Sequence, residues 1–205
     1  MSEKIVLFDN ETTGLLMPDP APLAQQPSII EFYGVALNAD YEIISEFETF
    51  IKPPGPISEK ITEITGITND MLEDAPNFAE VVGDISDLFH GSTELVAHNA
   101  SFDVGMLMVE LTRLHRVNKF PWPVRHTCTV ERSMSLRGRR LRLGQLHEIA
   151  TGQPLANAHR AKSDVFGLVR CFHWLRENGH MDTPRGPEVG RQGTENPHEA
   201  TPAVS

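Results

Sequence analysis

Cysteine is nearly absent: Cys128 and Cys171 are the two in 205 residues, and no CxxC spacing links them. This argues against a disulfide framework and a thiolate zinc site, and favours two reduced, buried thiols. No run of about 18 apolar residues occurs, which excludes a transmembrane helix and implies no membrane partner. The opening MSEKIVLFDN runs straight into an apolar segment, leaving no room for a signal peptide, so a cytoplasmic location is expected. Basic residues are also scarce, with 18 Lys and Arg against 28 Asp and Glu, a net charge of −10. That balance disfavours long tracking along a duplex driven by counterion release. It suits a grip on a few nucleotides at a strand end, and bound cations would cancel part of the acidity.

At 40% hydrophobic and 22% charged, the chain has ample apolar content for a core. From residue 182 onward it is Pro, Gly, Glu and Thr with almost no large apolar residue. A domain over residues 1–181 and a disordered tail over 182–205 are therefore expected. Residues 4–9 (KIVLFD) read as a buried strand ending at the first acid. Residues 29–37 and 43–51 read as an antiparallel pair joined at Asn38-Ala39-Asp40. Lys52-Pro53-Pro54-Gly55-Pro56 breaks the sheet, and Ser58 then caps a short helix over residues 59–64 that ends near Gly66. A helix over residues 77–90, a strand at 95–97, and apolar stripes over 104–114 and 165–175 follow, with a further helix over 141–150. The alternation of strands and helices points to an α/β fold.

Four acids and one imidazole sit at the ends of these elements: Asp9 and Glu11 in FDNETTGL, Asp103 in HNASFD, and His159 and Asp164 in HRAKSD. Asp9 and Glu11 are two apart on a strand, so their side chains share one face and can converge. Singly, each acid has an ordinary structural explanation: a solvated strand end for the pair, and the helix dipole for Asp103 and Asp164. His98 and Asn99 could equally cap the helix that follows them. His159 and Asp164, five apart, would lie roughly 140° apart on an ideal helix. They face one site only if His159 is on an irregular lead-in. Oxygen-ligand acids beside a single His are what a metal-dependent phosphodiester hydrolase needs: acids for Mg²⁺ or Mn²⁺, and a base for water.

FDNETTGL, AHNASFD and HRAKSD resemble the three motifs of the DEDDh 3′–5′ exonucleases. That family includes the proofreading subunit of bacterial replicative DNA polymerase, ribonuclease T and oligoribonuclease. IKPPGPISEKITEITGITNDMLEDAP between the first two motifs is similar to the linker of the proofreading branch. The resemblance covers roughly residues 4–177 and fills all five catalytic positions: Asp9, Glu11, Asp103, Asp164 and His159. It implies a ribonuclease H-like fold, a central mixed β-sheet with helices on both faces. It further implies two divalent metal ions, Mg²⁺ or Mn²⁺, on the four acids, with His159 as general base, and nucleoside 5′-monophosphates as products. Asn10 departs from the family's small or apolar residue and should face away from the metals. Residues 126–129 (HTCT) replace an Asp-Thr pair, which puts a substrate role there in doubt.

By the same resemblance Thr12, Thr13, Gly14 and Leu15 lie against the terminal nucleotide, with His98, Asn99 and Phe102 lining the cleft. Leu15 would have to be exposed or pressed on something flat, while core packing is an equal reading of Phe102. Arg137, Arg139, Arg140 and Arg142 form the chain's basic cluster, either a phosphate grip or a solvated charge run. The expected partners are 3′ ends of single-stranded DNA, with RNA and a DNA polymerase left open.

Overall fold

The apolar run after Lys4 becomes β1 (Ile5–Thr12), the central strand of a five-stranded sheet. The structure, a computed structural model, describes residues 3–156 and 158–181. The stretch 182–205, expected to be a tail, lies outside the described residues. β2 (Ile29–Leu37) and β3 (Ile43–Phe50) form the anticipated antiparallel hairpin. Its turn is held by the Asn38 side chain, whose Oδ1 accepts from the N–H groups of Asp40 and Glu42. Further along come β4 (Glu94–Ala97) and β5 (Arg125–Cys128). The strand order is β3-β2-β1-β4-β5, with β1 antiparallel to β2 and parallel to β4.

Seven α-helices accompany the sheet among the described residues: α1 (Glu59–Thr65), α2 (Asn69–Glu73), α3 (Phe78–Phe89), α4 (Ala100–Arg113), α5 (Thr129–Arg137), α6 (Leu143–Thr151) and α7 (Ala161–Glu177). Strand alternation sorts β1 onto two faces. Val6 and Phe8 pack with Val82, Ile85 and Phe89 of α3 and Met106, Leu107 and Leu111 of α4. Ile5 and Leu7 pack with Val165, Leu168 and Phe172 of α7. The sheet is thus covered on both sides, the mixed ribonuclease H-like arrangement that the motif resemblance implies. Each such side chain removed from water contributes about 1.5–3 kcal/mol.

Several local expectations change. β1 does not stop at Asp9: it continues to Thr12, so both acids are in-strand, with a register shift between Glu11 and Thr12. Ser58 is the N-cap of α1, yet its side chain makes no capping bond; Gly66, at φ 73°, closes that helix as expected. β5, α2 and α5 were not anticipated. α5 buries Thr129, Val130 and Ser133, two of them small and polar, so it carries no apolar stripe to read. β5 is a four-residue edge strand of polar composition.

Phe172 is fully buried between α7 and the sheet and meets Tyr41 edge-on at 6.0 Å. Phe172→Ala should therefore cost about 3–5 kcal/mol in denaturant unfolding. A loss below about 1 kcal/mol would contradict this packing.

Candidate active site

The parity of β1 decides where the acids go. Asp9 and Glu11 share the face of Ile5 and Leu7, the one that α7 covers, and Asp164 lies in the first turn of α7. One carboxylate oxygen from each of Asp9, Glu11 and Asp164 lies within 4.8 Å of the others, a geometry that could hold a metal ion. Asp103 arrives from α4 on the opposite face and is not part of that triplet. It is almost fully buried, and its Oδ1 accepts from the backbone N–H of Asn10 at 3.2 Å. Asn10 does face away from Asp9 and Glu11, but it has a task. Its Nδ2 donates to the Asp103 carbonyl at 3.2 Å, clamping the start of α4 to β1.

Burial and mutual repulsion raise every acid here. Asp9 is pushed well above the usual carboxylate range, first by burial, then by Asp103, Asp164 and Glu11. Glu11 is pushed up to about 7 by burial and by Asp164 and Glu31, with Arg160 opposing. Burial also raises Asp103, against the Asn10 hydrogen bond, and Asp164, against its bond from His159. The arrangement favours protons or cations among these oxygens.

His159 lies on an irregular lead-in, outside the helix, as the shared site required. It has a left-handed backbone (φ 68°), its side chain is exposed, and its N–H donates to Asp164 Oδ2 at 3.0 Å. With Asp9 and Asp164 it borders a cavity of about 710 Å³ whose far wall is Arg140, Leu141, Arg142 and Leu143.

His98 and Asn99 also border this cavity. Both ring nitrogens of His98 are engaged, Nε2 with the Leu141 carbonyl at 3.1 Å and Nδ1 with the Thr129 hydroxyl at 2.9 Å. A carbonyl can only accept, so Nε2 carries a hydrogen. Burial takes its pKa down to about 4. His98 is therefore a strut between β4, α5 and the loop before α6. The Thr129 of the unusual HTCT segment supports that strut. Asn99 makes no side-chain cap; it adopts φ 71° and its Oδ1 accepts from Arg140 Nη2 at 2.8 Å.

The other expected contact residues lie off the cavity wall. Thr12 Oγ1 donates to the Gly14 carbonyl and Thr13 Oγ1 accepts from Ser28 N–H, so both shape the turn after β1. Leu15 is 81% exposed, as expected of a residue that must meet something flat. Phe102 packs against the α3/α4 core while staying partly open. Of the basic cluster, Arg140 and Arg142 face the cavity, whereas Arg137 and Arg139 border a separate depression. The residues overlooked were Glu31 and Arg160. Glu31 stands directly across from Glu11 in the β1/β2 register and accepts from Arg160 at 2.8 Å. A lone acid inside IIEFYGVAL was the signal available.

The pH dependence of stability follows. The folded chain holds Glu11 protonated up to about 7, against 4.5 for an ordinary glutamate, so its stabilising share is present at low pH and lost as pH rises through 7. His98 acts oppositely, but only below its ordinary 6.5. Melting of the metal-free protein should thus fall between about pH 6.5 and pH 8, and added Mn²⁺ should remove the slope. A flat metal-free profile would contradict this picture.

The exonuclease family model (RNase_T) matches residues 6–172. The DNA polymerase III subunit epsilon of Treponema pallidum (strain Nichols) is 34% identical over 184 residues, covering 84% of this chain and 79% of that protein. The PolC-type DNA polymerase III of Bacillus subtilis (strain 168) is 44% identical over 130 residues, 63% of this chain and 8% of its own length. The chain spans between 7% and 12% of the first PolC-type relatives it matches. Among solved structures, the nuclease domain of 3′hExo, a DEDDh family member, bound to rAMP, superposes with a TM-score of 0.64 at 21% identity. That match covers 87% of this chain and 94% of that one, a likeness of fold.

Proposed function

The chain belongs to the exonuclease family, and on that premise we propose that it removes nucleotides stepwise from the 3′ end of single-stranded or frayed DNA with the help of two divalent cations. The observation that carries this reading is the triplet of carboxylate oxygens from Asp9, Glu11 and Asp164 within 4.8 Å. All-oxygen donors of this kind fit hard cations such as Mg²⁺ or Mn²⁺. The upward push on all four acids marks a place where positive charge would be stabilising. Asp9, Glu11 and Asp164 would hold one ion, and Asp9 with Asp103 the other. Bound ions supply Lewis acidity, making water a competent nucleophile near neutral pH and offsetting charge on the departing 3′ oxygen.

The chain's own groups do the rest. A ring nitrogen of His159 accepts the proton of the attacking water. Arg140 and Arg142 meet backbone phosphates, while Leu141 and Leu143 give the nucleotide an apolar wall. Leu15, exposed beyond the turn after β1, presses on the terminal base. The products are nucleoside 5′-monophosphates. The names of the relatives support DNA over RNA as substrate, and a DNA polymerase as the partner that presents the 3′ end.

An end-labelled oligonucleotide assay tests this reading with Mg²⁺, Mn²⁺ or EDTA, on DNA and RNA of one sequence, with free and blocked 3′ ends. Shortening of DNA from a free 3′ end, abolished by EDTA, is expected; preferential loss of RNA would reassign the substrate. His159→Ala should lower kcat by about 10²–10⁴-fold while Mn²⁺ still binds. Near wild-type turnover in that variant would remove His159 as the base.

A further inference from the structure

Arg160 is the N-cap of α7, a place where Ser, Thr, Asp or Asn normally satisfies the first free N–H groups. Arginine has no acceptor to offer. The acceptor comes instead from 129 residues earlier in the chain: Glu31 Oε2, on β2, takes the Ala161 N–H at 3.1 Å. The same carboxylate takes Arg160 Nη2 at 2.8 Å and Nε at 3.2 and 3.3 Å, and the guanidinium lies over the Phe50 ring at 5.5 Å. Glu31 is 1% exposed, so the charge is sheltered from water and its hydrogen bonds from competition. On the other side of this anchor sits His159, in a left-handed conformation that costs energy for any residue but glycine.

We propose that Glu31 and Arg160 form a positioning pair that fixes the lead-in to α7 and thereby sets where His159 stands relative to the acids. This rests on the reading of His159 as the general base. Glu31 pins the peptide after Arg160 to β2, while Asp164 pins the N–H of His159. Between the two anchors the imidazole keeps its side-chain freedom but not its backbone freedom. An exposed base held this way loses less entropy on reaching the attacking water than one on a free loop. The arrangement also places the Arg160 charge beside Glu31, directly across the ladder from Glu11, where two unbalanced carboxylates would repel.

The test compares single and double variants of the full chain on an end-labelled DNA oligonucleotide with Mn²⁺. Arg160→Gln should lower kcat by about ten- to a hundredfold with KM little changed. Added to His159→Ala, it should lower kcat no further, since the pair acts through that ring. Mn²⁺ affinity, measured by calorimetric titration without substrate, should change far less than kcat, since the Arg160 charge reaches Glu11 only across the β1/β2 ladder. Arg160→Lys, which keeps the charge but not the fork, should fall between the two. Lys162→Ala, which breaks the exposed bond to Glu48, should change nothing. Losses that multiply in the double variant, or a loss of Mn²⁺ affinity in Arg160→Gln as large as its loss in kcat, would overturn the proposal. If Arg160→Gln fails to melt cooperatively, Glu31→Gln replaces it, with the same kcat-only loss expected and a multiplying loss overturning it. If His159→Ala itself keeps its turnover, the general-base reading fails. The pair is then judged by the His159 imidazole NMR signal, which Arg160→Gln must shift; an unmoved signal overturns it.

Discussion

Carboxylates brought close together out of water repel one another, and this fold brings them together nonetheless. Asp9, Glu11 and Asp164 offer oxygens within 4.8 Å, and Asp103 adds its charge from behind. In a low-dielectric setting such a cluster is stable only with protons, hydrogen-bond donors or cations among the oxygens. Backbone N–H groups donate to them, from Asn10 to Asp103 and from His159 to Asp164. They leave most of the lone pairs free to take up positive charge.

What forces the acids into this position is the apolar sandwich beneath them. β1 is buried on both faces, so its alternation is rigidly specified, and slipping by one residue would exchange the faces of Asp9 and Asn10. α7 must cover Ile5 and Leu7, which delivers Asp164 beside Asp9; α4 must cover Val6 and Phe8, which delivers Asp103 to the other side. Packing energy therefore holds an electrostatically unfavourable site in place. The ties outside the core, from Asn10 to the Asp103 carbonyl and from Glu31 to Arg160, refine where the two helix starts sit.

Much of this was legible in the chain. The β2/β3 hairpin, the apolar faces of α3, α4 and α7, and the irregular position of His159 all follow from local pattern. The same holds for the exposed Leu15 and for five residues matching the DEDDh motifs. What was not legible depended on contacts between segments far apart in sequence. Asp103 stands outside the triplet because α4 lies on the opposite face, and periodicity does not tell which face a helix will take. His98 has the residue type and the motif position of a substrate contact, yet its nitrogens go to Leu141 and Thr129, in a loop and helix with little apolar signature. Glu31 is an acid inside an apolar strand, and its partner Arg160 stands 129 residues away.

The central claim is that these buried oxygens form a seat for divalent cations. Anomalous diffraction from crystals soaked in Mn²⁺ tests it most directly. The account predicts manganese peaks in contact with the Asp9 carboxylate, flanked by Glu11 and Asp164 on one side and Asp103 on the other. A map with no peak at Asp9, at Mn²⁺ concentrations that support nuclease activity, would contradict it.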